Sequence, residues 1–456
     1  MHGLMMDTPL LITEIMRFAD RNHPDVEVVS ITADNPRHRC TYRDVFRRAR
    51  QLANALQAAG VKPGDRIGTL AWNDYRHLEL YYAVSCMGAV LHTINPRLFP
   101  EQIEYIINHA EDRLLFVDPT LLPALAPLQG KIPSVEKVVV LCKDEAMPAA
   151  ADEQLSSYES MLAEQPSNFD WPELDERSAS SLCYTSGTTG HPKGVLYSHR
   201  STVLHAYAGC MPDAIGVSGK DSILAVVPMF HANAWGLAYN APMVGAKLVF
   251  PGPKMGDPAA LTSLLNEERV TLAAGVPTVW TLLLAYVEEN RLPLETLERT
   301  LVGGSAVPLS MIREFDEKFG VTLVQAWGMT EMSPLGTVCT LSPAMQKLPA
   351  EDRHRIQAKQ GHGVFGVAMK IVDDDGNELP WDGKRSGELK VRGPWVCNSY
   401  YKLEHSGAHD AEGWFGTGDV AAIGEDGYLQ ITDRAKDVIK SGGEWISSVD
   451  IENCAC

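Results

Sequence analysis

The stretch CYTSGTTGHPKGVLYSH, from Cys183 to His199, sets three glycines, three threonines and the lone Lys193 between two apolar patches. Successive small residues, Ser186, Gly187, Thr188, Thr189 and Gly190, let backbone N–H groups approach a polyanion, while hydroxyls add donors and Lys193 adds a mobile charge. Read alone, the string suits a phosphate cradle and equally a surface turn, because Gly, Ser and Thr favour turns for their own reasons. A Walker A loop does not fit: Lys193 follows Pro192 and precedes Gly194, where that motif needs a metal-binding hydroxyl. The loop does not fit the dinucleotide pattern G-x-G-x-x-G either.

Outward from the loop, strand and helix patterns alternate. TYRDVFRRARQLANALQAAG places Thr41 and Asp44 as a capping box and Gly60 as a stop. RIGTLAW reads as a strand, followed by a helix to about Met87, the strand AVLHTI, a helix from about Pro100 and the strand RLLFVD. Beyond the loop, ILAVVPM, AKLVFPG, LAAGVPT and TLERTLVGGSAV continue the pattern, which implies βαβ units and helix-covered parallel sheets. From about Gly361 the chain turns β-rich, with two strands expected around an Asp-Gly-Asn turn in VAMKIVDDDGNELPWDGKRSGELKVRG and another in GYLQITDR.

Composition narrows the function. The 456 residues exceed one compact core. Fifty-eight acidic against 40 basic residues give a net charge of −18, which repels phosphate backbones and anionic lipid, so nucleic acid is not an expected partner. Nine scattered cysteines without a CxxC pair point to free thiols in a reducing compartment, the cytoplasm being the simplest. MHGLMMDTPLLITEIMRFAD fits an amphipathic first helix, not a signal peptide. The apolar run from Leu78 to Ile94 is too short and too broken to span a bilayer.

Further motifs follow in order. QAWGMTE combines a flat indole at Trp327, a hydroxyl at Thr330 and a hard carboxylate at Glu331, a set suited to adenine, phosphate and Mg²⁺ or, read alone, to a core tryptophan beside a helix cap. GWFGTGDVA offers Asp419 as a carboxylate that can accept two ribose hydroxyls. DRAKDVIKSGGEWIS supplies Arg434, Lys436 and Lys440 ahead of Gly442 and Gly443. PMFHANAWG carries His231 and Trp235 among small apolar residues, with no cation to pair with a second carboxylate.

Taken together, YTSGTTGHPKGV, GGSAVP, QAWGMTE, GWFGTGDVA and DRAKDVIKSGG resemble the signatures of the adenylate-forming superfamily. The likeness is strongest to medium- to long-chain fatty acyl-CoA synthetases. It implies an α/β fold, with residues 1–434 forming an adenylation domain of two helix-flanked sheets plus a distorted β-barrel. Residues 435–456 would form a hinge and the start of a small α+β domain. It implies a small-molecule carboxylic acid, ATP and CoA as substrates with Mg²⁺ as cofactor, and leaves a homodimer open.

Residue roles follow from the same resemblance. Thr185 and Glu331 would hold Mg²⁺, while Ser186, Gly187, Thr188, Thr189, Gly190 and Lys193 take the phosphates. Gly304, Ser305, Gln325, Ala326, Trp327, Gly328, Thr330, Asp419 and Arg434 contact the nucleotide. Lys436 serves as hinge, Lys440 lies near the phosphates, and Gly442 and Gly443 lie along the CoA side. His231, Trp235 and Gly304 meet the acid, and Lys193, His231, Thr330 and Glu331 carry the catalytic roles. Short thioether acids and aryl acids are the alternative substrates. Family members continue past the point where this sequence stops, at Cys456, and carry a catalytic lysine beyond it. The sequence therefore reads as a truncated ligase that makes acyl-CoA poorly, or as a nucleotide- or acyl-binding protein.

Overall fold

The computed structural model describes residues 1–148, 155–185, 190–403, 407–434, 439–441 and 444–446, from Arg434 onward as backbone only. Ser186 to Thr189, Lys436, Gly442 and Gly443 lie outside the described residues, as do the side chains of Arg434 and Lys440.

Local chemistry sets the helices. Thr41 and Asp44 form the capping box, in which Thr41 N–H donates to Asp44 Oδ2 at 3.1 Å, and the helix Tyr42–Ala58 follows. The helix Tyr75–Cys86 starts where Asp74 accepts from His77 N–H at 2.8 Å, and it is buried along its whole length. With the strand Val90–Thr93, it accounts for the long apolar run as core. Among the described residues no helix is long and apolar enough to cross a membrane.

Two large sheets result. The seven-stranded sheet runs Leu155–Ser157, Lys137–Val140, Asp112–Val117, Arg66–Leu70, Val90–Thr93, Ala179–Tyr184, Gly194–Ser198. The nine-stranded sheet runs His362–Gly363, Leu335–Val338, Thr322–Gly328, Arg299–Val302, Leu272–Gly275, Ser222–Ala225, Lys247–Phe250, Glu27–Ser30, His38–Thr41. Both are parallel in their centres, with antiparallel pairs at the margins. One apolar core joins them, packing Leu91 and Phe116 of the first and Ile223 and Leu248 of the second around helices between.

The expected barrel takes the form of a four-stranded antiparallel sheet: Ala368–Val372, Gly387–Arg392, Phe415–Ile423, Leu429–Arg434. A bridge from Gly361 to Leu429 ties it to the margin of the nine-stranded sheet. The Asp-Gly-Asn turn closes a tight loop in which Asp373 N–H donates to Asn377 O at 3.0 Å. Yet the long partner of Ala368–Val372 is Gly387–Arg392, further along the chain. Pro380 cannot donate to a ladder, and Gly387 alone permits the approach, since a Cβ there would lie 2.4 Å from Val372 O.

The motifs share one location in this topology. Residues 185–193, 228–236, 303–308 and 329–331 all follow the C-terminal ends of strands, which is where open parallel sheets form their ligand crevice. Asn73 fixes the two sheets there. Its buried Nδ2 donates to Ala225 O (2.9 Å) and Val227 O (2.8 Å), and its Oδ1 accepts from Met229 N–H (2.6 Å). Asn73→Ala strands three buried backbone groups and is expected to cost about 3 kcal/mol or more in urea unfolding, with Asn73→Asp at least as costly because it sets a buried carboxylate against two carbonyl oxygens.

Burial also sets a pH response. His199 is buried, its Nδ1 accepts from Ile12 N–H at 3.2 Å, and burial lowers its pKa to about 4. Below pH 6.5 the unfolded chain takes up a proton that the folded chain refuses, so this histidine costs stability as pH falls toward 4. A His199→Asn variant should be less stable than the parent at pH 7, and thermal unfolding should show the gap narrowing by about 1–2 kcal/mol at pH 5.

Candidate functional site

The phosphate-loop motif is a hairpin. Tyr184 pairs with Gly194 at the ends of two antiparallel strands, Thr185 N–H donates to Lys193 O (3.0 Å), and Lys193 N–H donates to Thr185 Oγ1 (3.1 Å). Both arms are held from the helix Pro100–Ala110. His109 Nδ1 lies 2.7 Å from the Tyr184 hydroxyl, and Tyr105, one turn earlier, stacks on His191 with centroids 4.3 Å apart. Sequence reasoning missed this pair. Its signal, an aromatic and a histidine four residues apart, acquires meaning once the fold sets that helix beside the hairpin. Beneath the arms the Cys183 thiol is buried and its pKa raised, which leaves no thiolate to act as nucleophile.

On the acid side, His231 is followed by a run of left-handed backbone: Ala232, Asn233, Ala234 and Trp235 have φ of 43, 54, 50 and 56°, and Gly236 has 85°. Left-handed α conformation costs roughly 1–2 kcal/mol per non-glycine residue. This is a strained turn, and it carries Trp235 against Gly303, where a Cβ would lie 3.2 Å from the indole and 2.8 Å from Ala326 O. His231, Trp235, Gly304, Ala326, Trp327 and Gly328 line one cavity of about 70 Å³, closed by Ile215, Leu301, Gly303, Met329, Pro334 and Leu335. Burial lowers the pKa of His231, so the imidazole is neutral at pH 7. A wider cleft of about 990 Å³ opens beside the helix Ile12–Asn22, but none of the motif residues line it.

Trp327 does not offer an open face. Its ring packs in the core against Gly336, where a Cβ would lie 2.7 Å away, and its Nε1–H donates to Asp419 Oδ2 at 3.0 Å. The indole therefore orients the carboxylate assigned to the ribose, and Trp327 also lines the cavity. Asp419 is itself buried and lies across the ladder from Arg434. Thr330 O accepts from the Tyr197 hydroxyl (2.6 Å), which fastens QAWGMTE to the hairpin. Gln325 is buried with its Oε1 unpartnered.

Glu331 is buried, its Oε1 accepts from the Tyr400 hydroxyl (2.7 Å), and its backbone O accepts from Cys397 N–H (2.8 Å). Tyr400, absent from the sequence reading, also lies under the ammonium of the exposed Lys193, 4.9 Å from Nζ to ring centroid. Thr185, Lys193, Ser305, Gln325, Thr330, Glu331 and Asp419 stand outside the cavity lining, which is mostly apolar. Among the described residues no group of three His, Cys, Asp or Glu could hold a metal ion by itself. A single carboxylate with a hydroxyl fits Mg²⁺, which commonly takes its remaining ligands from phosphate and water.

Comparison with known proteins places the chain in a family. A family model described as AMP-binding enzyme matches residues 16–401. The chain is 51% identical over 455 residues to the 3-methylmercaptopropionyl-CoA ligase of Ruegeria lacuscaerulensis, covering 100% of this chain and 84% of that one. It is 50% identical to the medium-chain-fatty-acid–CoA ligase of Ectopseudomonas oleovorans, covering 100% and 83%. Among solved structures, the anthranilate CoA ligase AuaEII in complex with anthranoyl-AMP superposes with a TM-score of 0.86 at 26% identity, covering 98% and 82%. The expectation of a chain that makes acyl-CoA poorly finds no support here, since proteins named as ligases match it throughout.

Gly303→Ala tests the acid side. The added methyl meets a backbone carbonyl and the Trp235 ring, so kcat/KM for the acid should fall about tenfold or more in a pyrophosphate-release assay while KM for ATP holds within about twofold.

Proposed function

Because this chain belongs to the AMP-binding enzyme family and is an AMP-forming acid–CoA ligase, we infer that its acid is a medium- to long-chain fatty acid. One observation carries the substrate class: among the described residues the cavity lining holds no lysine or arginine, and its single titratable group is the neutral His231. A second carboxylate or phosphate on the acid would meet no counter-charge, whereas a hydrocarbon meets Ile215, Leu301, Met329 and Leu335. Trp235 forms one wall, so a chain longer than the cavity enters where that indole yields.

The chemistry then needs charge stabilisation and no covalent enzyme intermediate. The carboxylate oxygen attacks the α-phosphorus of ATP and the bond to the β-phosphate oxygen breaks, giving acyl-adenylate and pyrophosphate. A CoA thiolate next attacks the acyl carbon and AMP leaves. In this reading Lys193 and the hairpin backbone take the departing phosphates, the Trp327-oriented Asp419 takes the ribose, and His231 borders the carboxylate. Thr185 and Glu331 would hold Mg²⁺, which when bound offsets negative charge on the phosphate oxygens.

A short thioether acid is the second reading, favoured by the cavity itself: 70 Å³ is about the liquid volume of two waters, and the 51%-identical relative is named for such an acid. An acid panel decides. Pyrophosphate release whose kcat/KM climbs from butyrate through octanoate to longer acids is the expected result. A maximum at 3-methylmercaptopropionate with a decline beyond hexanoate would replace the fatty acid with the thioether acid, and release that ignores every added acid would overturn both.

A further inference from the structure

Lys193 and Glu331 carry opposite charges, belong to different sheets and lie close to the same residue, yet among the described residues no salt bridge joins them. Tyr400 stands at the junction. Its ring face receives the Lys193 ammonium (4.9 Å to the centroid) and its hydroxyl donates to Glu331 Oε1 (2.7 Å). Its neighbours bind the backbones on either side: Cys397 N–H donates to Glu331 O (2.8 Å), and Tyr401 N–H donates to Gly194 O (2.8 Å), one residue past Lys193. Tyr400 belongs to the apolar cluster that includes Tyr197, Trp327, Met332 and Phe415, and only 7% of the residue is exposed.

We propose that Tyr400 is a positioning residue for the ligase reaction: a spacer that holds the Lys193 ammonium and the Glu331 carboxylate apart so that they do not neutralise each other. The physical need is plain. A lysine that must meet phosphate and a carboxylate that must meet a cation lose both functions if they pair directly, and side by side in a partly buried site that pairing is favourable. An aromatic face satisfies an ammonium without taking its charge. A phenol satisfies one lone pair of a carboxylate and leaves the others open. Burial and the Glu331 charge raise the phenol's pKa, so it stays a donor across the working pH range. Tyrosine presents both surfaces: phenylalanine lacks the hydroxyl, and serine or threonine lacks the face.

The proposal rests on the reading that Lys193 serves phosphate and Glu331 serves a cation, and the test separates the two. Tyr400→Phe keeps the face and frees the carboxylate; Tyr400→Leu removes both. For Tyr400→Phe the expected result is a roughly tenfold lower kcat for pyrophosphate release, with KM for ATP within about twofold. The added thermal stabilisation that Mg²⁺ gives to the ATP-bound protein should also shrink. Tyr400→Leu should further raise KM for ATP about tenfold or more. A Tyr400→Phe variant combined with Glu331→Gln should show no loss of ATP-induced stabilisation beyond that of Glu331→Gln alone, a comparison that stands even if Tyr400→Leu does not accumulate. Equal effects of Phe and Leu on kcat and KM, or additive losses in the double variant, would overturn the spacer. Lys193→Met and Glu331→Gln run alongside: if neither alters pyrophosphate release or ATP stabilisation, the underlying reading falls. If both do while the Tyr400 variants match the parent, the spacer alone falls.

Discussion

The carboxamide of Asn73 holds together what the rest of the site requires. It sits at the end of a strand of the seven-stranded sheet and makes three bonds to the chain leaving the nine-stranded sheet, at Ala225, Val227 and Met229. A buried amide so fully satisfied is rigid, because any displacement leaves donors and acceptors unpaired in a low-dielectric interior. Met229 is two residues from His231, so this joint sets where the acid-side turn begins. The hydroxyls of Tyr81 and Tyr82 reinforce it through Met229 O and Ala238 O, one on each side of that turn.

Such anchoring explains how five consecutive residues persist with positive φ. Left to itself the segment Ala232–Gly236 would prefer the right-handed region. Held at both ends, it projects Trp235 onto Gly303 and walls the cavity between them with an indole. Strain of this kind is retained where the surrounding structure over-determines it, and here the surrounding structure is the contact between the two sheets.

Much of this was legible in the residues. The capping box of Thr41 and Asp44, the strand-helix alternation and the motif order carried the α/β class and the adenylating chemistry, because those signals are local. What escaped notice depends on distant pairs. Nothing local says that the Trp327 indole turns inward to bond Asp419, 92 positions on, instead of offering its face to a ligand. Tyr400 sits in an unremarkable SYYK, and Tyr105 and His109 look like ordinary helix residues until the hairpin is laid against them. The Asp-Gly-Asn turn was locally right, yet the strand pairing was settled by Pro380 and by the close approach at Gly387.

The bonds that complete the site span long stretches of chain: Tyr197 to Thr330 over 133 residues, Tyr400 to Glu331 over 69, Trp327 to Asp419 over 92. Contacts of such separation form late, since the loop entropy must be met before the contacts repay it. During synthesis, which proceeds from the N-terminus, the phosphate hairpin emerges long before its partners. A nascent chain therefore lacks the Trp327–Asp419 bond until the segment around Asp419 has left the ribosome and joined the fold.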